Sequence, residues 1–279
     1  MKFACIGGDN RQIEIAKYLI NKGYNVSAFG LPKIDNIELE NSLYSVINNA
    51  DVLILPLPIS RNGETVYTPL DDNIIPLDSI LEFKPKIIFG GLLTDNFRTK
   101  LDNKKIKYFD YYKNEGITVK NAILTAEAAI SIAISETNFS IYNSNCLIIG
   151  YGRIGKPLAK YLKTMGANVS ISSRFEKTLN KIEADGYNAI NTNECTFNLK
   201  NKHIIFNTAP SPILNENFFK NCNKNTLVLD LATDAGTDFE AAIKYEINAK
   251  LCPGLPGKFS PETAAKFIAD EILNVLEIN

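Results

Sequence analysis

The sequence is poor in the residues from which most metal sites are built. It contains one histidine, His203, and its five cysteines, at positions 5, 146, 195, 222 and 252, include no C-x-x-C pair. These residues cannot form a cluster of metal ligands, and the sequence has no H-E-x-x-H motif. We therefore predict no metal centre. His203 opens a predicted strand, at the end away from any cofactor, and we interpret it as structural.

The chain also has no excess of charge of one sign and no long apolar run. The 30 basic and 31 acidic residues give a formal net charge of −1, which favours neither nucleic acid nor an anionic membrane as a partner. No apolar run approaches the roughly 20 residues of a membrane span. The N-terminus turns polar after six residues, unlike a signal peptide. Because the cysteines are odd in number and scattered, we expect buried, reduced thiols and a cytoplasmic protein.

A glycine motif stands in the middle of the chain. The apolar run Cys146–Ile149 leads directly into Gly150, Gly152 and Gly155, with G-x-G-x-x-G spacing, and an amphipathic segment follows from Ile154. Strand, tight turn and helix are the context in which this motif binds a dinucleotide, with the pyrophosphate at the helix N-terminus. The sequence therefore predicts a dinucleotide site here.

The next predicted strand indicates which dinucleotide is bound. It runs from Asn168 to Ser172 and ends in Ser172-Ser173-Arg174, with Lys177 one turn later and no acid where an NAD enzyme places one for the ribose hydroxyls. Hydroxyls and a guanidinium suit a 2′-phosphate, although an ordinary surface arginine would look the same. We favour NADP over NAD.

Predicted strands and helices alternate along the chain, which is typical of doubly wound α/β proteins. We expect an α/β fold of two Rossmann-like domains with parallel sheets and a cleft between them, joined by a long helix. The predicted domains are an N-terminal substrate domain over residues 1–140, which includes a linking helix from about Thr125, and a Rossmann NADP-binding domain over 141–258. A last helix, 259–279, is expected to pack on the first domain.

The first domain also opens like a Rossmann unit, with a strand at Lys2–Ile6 and the turn Gly7-Gly8-Asp9-Asn10 before a helix. It lacks the three-glycine pattern. We therefore expect it to frame a substrate pocket, and not a second nucleotide site.

Several segments resemble the family of the dehydrogenase (A) subunit of dipicolinate synthase. They are I-G-G-D-N-R-Q from Ile6, the strand end L-P-L-P, N-A-I-L-T-A-E from Asn121, G-Y-G-R-I-G from Gly150, N-T-A-P from Asn207, L-D-L-A-T-D-A-G-T-D-F from Leu229, and P-G-L-P-G with the S-P-E-T-A that follows. The resemblance covers both halves of the chain, and the C-terminal half carries the more specific motifs.

The resemblance implies an NADP-dependent enzyme of endospore-forming bacteria, located in the mother cell, that makes pyridine-2,6-dicarboxylate. Its precursor would come from the lysine pathway, as dihydrodipicolinate or a hydroxylated tetrahydro form. A smaller, flavoprotein-like B subunit would accompany it. A homo-oligomer is left open. The candidate cofactor-binding residues are Gly150, Gly152, Arg153, Ile154, Gly155, Ser172, Ser173, Arg174, Lys177, Asn207, Thr208, Ala209, Pro210, Leu231, Ala232, Gly254 and Pro256.

Dehydrogenation of a dihydropyridine dicarboxylate requires contacts to two carboxylates and a path for one proton. The candidate substrate-binding residues are Ser60, Arg61, Thr125, Ser211 and Arg11, with backbone N–H groups around Gly254–Gly257. For each one, a turn or cap role is an equal alternative. The candidate catalytic bases are Glu127, in the predicted first turn of the linking helix, and Asp230, in an apolar strand; dipole and loop-bonding roles compete with catalysis.

Two other functions are compatible with parts of the sequence. A 2-hydroxyacid dehydrogenase would share the two-domain outline, but it uses a late histidine as its acid–base group, and no histidine follows His203. A non-catalytic NADP-binding regulator or scaffold would keep the fold without chemistry. The polar residues at predicted strand ends favour the enzyme, because a bare binding module would not need them.

Overall fold

In the computed structural model, which describes residues 1–232 and 236–278 but not the side chains of residues 195–198 and 278, strands and helices alternate throughout. The chain divides into two compact units. Unit 1 comprises Met1–Lys120 and Ser260–Asn279, and unit 2 comprises Asn121–Phe259. The predicted boundary at residue 140 therefore lies 20 residues too late, since residues 121–140 belong to unit 2.

Unit 1 is built on a six-stranded parallel sheet in the order β3-β2-β1-β4-β5-β6. Its elements are β1 (Lys2–Ile6), α1 (Asn10–Asn21), β2 (Asn25–Phe29), β3 (Glu38–Leu39), α2 (Leu43–Asn48), β4 (Val52–Ile54), α3 (Leu77–Glu82), β5 (Ile87–Gly90), α4 (Asp95–Asn103), β6 (Lys107–Asp110) and a 3-10 turn (Tyr111–Lys113). The helix α5 (Glu115–Ser135) begins in unit 1 and continues into unit 2.

Unit 2 contains a second six-stranded parallel sheet, in the order β9-β8-β7-β10-β11-β12. Its elements are β7 (Asn145–Ile149), α6 (Gly155–Thr164), β8 (Asn168–Ser173), α7 (Glu176–Ala184), β9 (Asn188–Asn191), a 3-10 segment (Thr192–Asn201), β10 (Ile204–Asn207), α8 (Glu216–Lys220), β11 (Leu227–Asp230), α9 (Phe239–Lys244), β12 (Asn248–Leu251) and α10 (Leu255–Phe259). The chain ends with α11 (Pro261–Ile278) in unit 1.

Both sheets follow the 3-2-1-4-5-6 strand order of dinucleotide-binding folds, so the predicted fold class of two Rossmann-like units with parallel sheets is confirmed. In each unit the carboxyl ends of all strands lie along one edge of the sheet. Three strands, β3, β6 and β9, give no clear strand signal in the sequence: they are short strands at sheet edges with mostly exposed or half-buried residues. They lack the continuous apolar run of a buried parallel strand.

Helix α5 begins ten residues before the predicted start at Thr125. Asn114 caps it, because its Oδ1 accepts hydrogen bonds from the backbone N–H groups of Gly116, at 2.7 Å, and Ile117, at 3.3 Å. In the part of the chain that the structure describes, α5 is the one helix long and apolar enough, by length and composition, to cross a membrane. This differs from the expectation that no apolar segment of the chain is long enough to span a membrane. More than half of its most apolar window is buried, as in the core helix of a folded domain.

Helix α11 completes the hydrophobic core of unit 1. Its buried residues Ala265, Ile268, Ala269 and Ile272 belong to the cluster that also contains β1 and α1 side chains. At the surface, the Tyr18 hydroxyl of α1 donates a hydrogen bond to Asp270 at 2.5 Å. The C-terminal helix is therefore an integral layer of unit 1, although residues 121–259 separate it in sequence from the rest of that unit.

Candidate functional site

The glycine turn after β7 has the geometry that a phosphate-binding loop requires. Gly150 has φ +96°, a conformation that L side chains rarely adopt, and an added Cβ would lie 2.7 Å from Thr208 Oγ1. At Gly155 an added Cβ would lie 2.2 Å from the Gly150 carbonyl oxygen, so only glycine lets α6 start this close to the turn. At Gly152, by contrast, an added Cβ meets nothing within 4 Å.

These three environments match the three roles of the motif: a tight turn, an open approach for a ligand and close helix packing. The residue before α6 is Ile154, which has no side chain able to cap the helix. The positive end of the helix dipole therefore has no competing carboxylate or hydroxyl cap at the open approach. The residues present fit a dinucleotide pyrophosphate.

The turn is anchored through its second residue, Tyr151. Its hydroxyl donates a hydrogen bond to Asp185 Oδ2 at 2.7 Å, and its ring packs edge-on against Tyr187 at a centroid distance of 6.1 Å. Burial first, and then the Asp185 contact, raise the pKa of Tyr151, so the hydroxyl stays protonated and keeps donating. The sequence offered no signal for this contact, because Asp185 is 34 residues away.

The end of β8 presents the residues predicted to meet a 2′-phosphate. The backbone of Ser172 accepts a hydrogen bond from Gly150 N at 3.0 Å, which ties this strand end to the glycine turn. Ser172 is fully buried and its hydroxyl has no partner within the described structure, whereas Ser173 Oγ accepts the Phe175 N–H at 3.2 Å. Arg174 and Lys177 are exposed, as is Glu176 between them.

The ends of β10 and β11 are joined by a buried polar network. Asp230 is fully buried and accepts four hydrogen bonds, from Asn207 Nδ2 (3.1 Å), Ala232 N (3.0 Å), Gly236 N (3.0 Å) and Thr237 Oγ1 (2.7 Å). Both carboxylate oxygens are therefore fully used, and no acceptor position is left for a substrate proton. We correct the candidate assignment of Asp230 as a base: its role is to organise this loop.

The other predicted cofactor residues of unit 2 line the same edge. The Thr208 hydroxyl donates to Ile149 O at 2.9 Å, and Asn207 Oδ1 accepts the Ala209 N–H at 3.2 Å. Pro210 and Gly254 are exposed, whereas Leu231 and Ala232 are buried. The P-G-L-P-G segment begins as a turn after β12, at Pro253 and Gly254, and continues as α10, in which Pro256 is buried. Positions 233–235 of the motif that starts at Leu229 lie outside the described residues.

The glycine pair of unit 1 is closed by the protein itself. The Gly8 N–H donates to Tyr67 O at 2.7 Å, and a Cβ added at Gly7 would lie 2.9 Å from side-chain carbons of Val66 and Thr68. The segment Val66–Thr68 thus occupies the approach that is open at Gly152 in unit 2. Asp9 also caps α1 and places a carboxylate where a phosphate would sit. Both observations support the expectation that unit 1 has no nucleotide site.

Arg11, predicted to bind a substrate carboxylate, is engaged inside unit 1. Its Nε and Nη2 donate to the Asp9 carboxylate at 2.9 and 2.7 Å, and Nη2 also donates to the Leu57 carbonyl. Burial opposes charge on this side chain, but the bonds and charge of Asp9 outweigh it and hold the pKa of Arg11 above its usual value. We therefore correct the candidate role of Arg11: it stabilises the turn after β1 through its bonds to Asp9 and to the distant Leu57.

Ser60 and Arg61 lie in an exposed turn of unit 1. Ser60 Oγ donates to Asn62 Oδ1 at 3.0 Å and accepts the Gly63 N–H at 2.9 Å, which makes it a turn-forming residue. The Arg61 guanidinium lies over the Tyr67 ring, 4.7 Å from its centroid. Their predicted contacts to substrate carboxylates stay predictions.

The two candidates on α5 have different surroundings from those expected. Thr125 is buried in mid-helix and its hydroxyl donates to Asn121 O at 2.9 Å, so it is neither a cap nor available to a substrate. Glu127 is exposed and lies in the fourth turn of α5, so the predicted effect of the helix dipole on it is wrong. Burial and then the charge and hydrogen bond of Glu127 raise the pKa of Tyr161 on α6. The role of Glu127 as a catalytic base stays a prediction, which this contact with Tyr161 does not support.

Two further residues complete the comparison. His203 is exposed at the start of β10, and its Nδ1 accepts the Asn145 N–H at 2.9 Å, a structural contact at the edge opposite to the glycine turn. Ser211 is half-buried beside Gly236, whose added Cβ would lie 2.4 Å from Ser211 O. Among the residues that the structure describes, no three His, Cys, Asp or Glu side chains come together as a metal site.

The parallel 3-2-1-4-5-6 sheet of unit 2 and its open glycine turn define an NAD-binding domain of the dehydrogenase type. A family model supports this, since the NAD-binding domain of D-isomer specific 2-hydroxyacid dehydrogenases matches residues 100–249. A nicotinamide dinucleotide is the cofactor that such a domain implies.

The chain as a whole belongs to the family of the dipicolinate synthase A subunit, so the resemblance seen in the sequence is confirmed. The model of the N-terminal domain of that A subunit matches residues 2–112. The dipicolinate synthase A subunit of Bacillus subtilis is 31% identical over 99% of this chain and 96% of its own. The crystal structure of the corresponding protein from Bacillus halodurans has a TM-score of 0.86, with 27% identity over 99% of this chain and 97% of that one.

More distant structures share the fold alone. The apo-structure of D-lactate dehydrogenase from Escherichia coli has a TM-score of 0.64 at 14% identity and covers 100% of this chain and 96% of that one. Since no histidine follows His203 here, the similarity extends to the architecture and not to a late acid–base histidine.

Proposed function

We propose that this chain is an NADP-dependent dehydrogenase that forms dipicolinate, pyridine-2,6-dicarboxylate, from a dihydrodipicolinate-type precursor of the lysine pathway. Membership of the family of the dipicolinate synthase A subunit carries the proposal, and the open glycine turn of unit 2 supports its dehydrogenase part. As in its relatives, which are named as subunits, the chain would work with a second, flavoprotein-like B subunit, in the cytoplasm of the mother cell during sporulation.

The choice of NADP rests on the charge at the end of β8. Arg174 and Lys177 are exposed there, and Ser173 adds a hydroxyl, whereas the strand end itself carries no acid. A guanidinium forms strong paired hydrogen bonds with phosphate oxygens, and an acid at the strand end would repel them. Glu176 carries a negative charge, which opposes phosphate binding. It follows Arg174 in the chain and lies in the first turn of α7, not at the strand end.

The protein's contribution to the reaction is binding and orientation. When bound, the oxidised nicotinamide supplies the hydride acceptor. In unit 2, Gly150, Gly152 and Gly155 would hold the pyrophosphate, and Ser211 is a proposed carboxylate contact. The carboxylate contacts predicted for Ser60 and Arg61 of unit 1 stay predictions. Asp230 is saturated by hydrogen bonds, so it keeps the strand-end loops in place and accepts no proton. The ring also loses one proton, and the exposed carboxylate of Glu127 stays the candidate acceptor for it. Aromatisation of the ring provides driving force, and placement of charges matters more than a strong base.

The test is reduction of NADP⁺ or NAD⁺, followed at 340 nm, with freshly generated precursor, with and without a B-type subunit. We expect NADPH formation and a preference for NADP⁺. Arg174→Ala should lower that preference about tenfold or more, because it removes charge-assisted bonds to the 2′-phosphate. Arg98→Ala, which removes a surface arginine paired with Asp95 in unit 1, is the matched control and should leave the preference unchanged.

Dinucleotide binding without any reduction, in both conditions, would contradict the catalytic proposal. It would favour a non-catalytic NADP-binding regulator or scaffold. Reduction with NAD⁺ as fast as with NADP⁺ would leave the dehydrogenase in place and remove the proposed role of Arg174.

A further inference from the structure

Phe175 occupies a position where its residue type costs stability. It is the N-cap residue of α7, with extended φ −103° and ψ 121°, and it makes no side-chain cap. Polar residues such as Ser, Thr, Asp and Asn are preferred at this position by about 1 kcal/mol over apolar ones. The Phe175 ring is in addition 62% exposed, so it gains little from burial in its own domain.

The surroundings of Phe175 hold it in a defined place in spite of this cost. Its N–H donates to Ser173 Oγ at 3.2 Å, and its carbonyl accepts the N–H groups of Thr178 and Leu179, at 2.9 and 3.0 Å. The Arg174 guanidinium lies 5.4 Å from the ring centroid, within the range of a cation–π contact. An aromatic face and a guanidinium plane are thus presented together at the surface.

The position is close to the dinucleotide turn. Ser172 pairs with Ile149, the residue before the glycine motif, and its carbonyl accepts the Gly150 N–H. Phe175 follows Ser172 by three residues, so it lies at most about 11 Å along the chain from a residue bonded to the turn. Phe175 is thus an exposed ring just after the second strand of the unit, the strand end at which this fold binds the adenosine half of a dinucleotide.

We propose that Phe175 is the stacking platform for the adenine base, and that with Arg174 it forms one aromatic–cationic recognition unit for adenosine 2′-phosphate. This inference rests on the proposed function: the adenine contact of Phe175 needs a bound dinucleotide, and the role of Arg174 needs one that carries a 2′-phosphate. A ring stabilises a stacked purine whatever the ribose carries, while Arg174 reads the 2′-phosphate. The weak helix cap is the cost of that binding surface.

We expect Phe175→Ser to have opposite effects on thermal stability and on ligand affinity. Serine is a good N-cap residue, so the melting temperature of the ligand-free protein should rise. The affinity for adenosine 2′,5′-bisphosphate, measured by isothermal titration calorimetry, should fall about tenfold, which is the scale of one base–aromatic stack. Phe175→Tyr, which keeps the ring, should bind within about twofold of the parent.

Nicotinamide mononucleotide, which lacks adenine, serves as the control ligand. Its affinity should be the same for the parent, Phe175→Ser and Phe175→Tyr proteins. An unchanged affinity of Phe175→Ser for the bisphosphate, or an equal loss for both ligands, would overturn the inference and leave the proposed function standing. If the parent bound neither the bisphosphate nor NADP⁺, the proposed function would itself have failed, and the two failures are thus distinguishable.

Discussion

Asp230 accepts four hydrogen bonds at the buried edge of unit 2, and this number decides what the residue can do. A carboxylate offers about four lone-pair directions for hydrogen bonds. At Asp230 all four are used, by one side-chain amide, two backbone N–H groups and one threonine hydroxyl. Such a group positions its neighbours. The loop ends at Asn207, Ala232 and Gly236 consequently depend on a single side chain.

We predict that Asp230→Asn lowers the free energy of unfolding by about 2–4 kcal/mol, because an amide NH₂ would face donors in place of an acceptor. Denaturant unfolding followed by circular dichroism measures this. Asp238→Asn is the matched control, since Asp238 caps α9 and asparagine caps equally well. Full stability with loss of turnover would instead restore the interpretation of Asp230 as a base.

The glycine motif contains two residues that separate folding from binding. An added methyl group at Gly155 would collide with the Gly150 carbonyl, whereas at Gly152 it would enter open space. We predict that Gly155→Ala lowers the melting temperature by several degrees. Gly152→Ala should keep the melting temperature but weaken NADP⁺ binding at least about tenfold, because the methyl group fills the approach of the pyrophosphate.

Thermal melting and calorimetric titration of both variants check this pair of expectations. Gly23→Ala is unsuitable as a control because of its positive φ of +87°, so the parent protein is the reference. Tight NADP⁺ binding by Gly152→Ala would show that the dinucleotide does not approach this turn.

At the scale of elements, the caps of the helices differ with their positions. Asn215 and Asp238 cap α8 and α9 with side-chain hydrogen bonds. The N-cap residues of α6 and α7 are Ile154 and Phe175, whose side chains form no such bond. These two helices follow β7 and β8, the strands that carry the glycine turn and the arginine. No side chain caps the positive ends of their dipoles at the dinucleotide edge.

The contact between α1 and α11 gives a prediction with a defined pH range. The hydrogen bond to Asp270, followed by burial and the charge of Asp270, raises the pKa of Tyr18 to about 12, above its ordinary value near 10. A raised folded-state pKa means that the stabilisation is complete below about pH 10 and is lost as the pH rises towards about 12. The neutral phenol is the form that donates to Asp270.

We therefore predict that Tyr18→Phe lowers the free energy of unfolding by about 1 kcal/mol at about pH 8. The difference between the variant and the parent should shrink as the pH is raised from about 10 to about 12. Urea unfolding at a series of pH values measures both. A difference that stays constant over this range would show that the phenol proton is not involved.

At the scale of the whole molecule, two units with the same strand order differ in what they leave open. In unit 2 the glycine turn faces open space, whereas in unit 1 it is covered by Val66–Thr68 and carries the Asp9 carboxylate. The same architecture thus provides an open nucleotide site in unit 2 and a filled strand edge in unit 1.

We predict a stoichiometry of one dinucleotide per chain. Isothermal titration with NADP⁺ should give a binding number near one, and Gly152→Ala should weaken all of the binding. Arg98→Ala, which removes a surface ion pair with Asp95 in unit 1, is the control and should leave the binding number and affinity unchanged. A second binding event that persists in Gly152→Ala would place a nucleotide on unit 1.

The sequence alone determined the fold class, because strands buried on both faces are continuous apolar runs and helices between them are amphipathic. It also determined the dinucleotide turn, because Gly150, Gly152 and Gly155 stand at a fixed local spacing. These features depend on near neighbours along the chain. Edge strands such as β3 and β9 lacked that local signal, and the start of α5 was set by Asn114, a cap that precedes the apolar pattern.

Only the tertiary structure decided the roles of individual polar residues. Asp230 became structural through Asn207, Gly236 and Thr237, and Arg11 through Leu57, which lies 46 residues further along the chain. Whether a buried carboxylate or guanidinium is a ligand or a scaffold depends on which donors and acceptors the fold brings within about 3 Å of it. That information is in the packing of distant segments, and no local pattern of residues contains it.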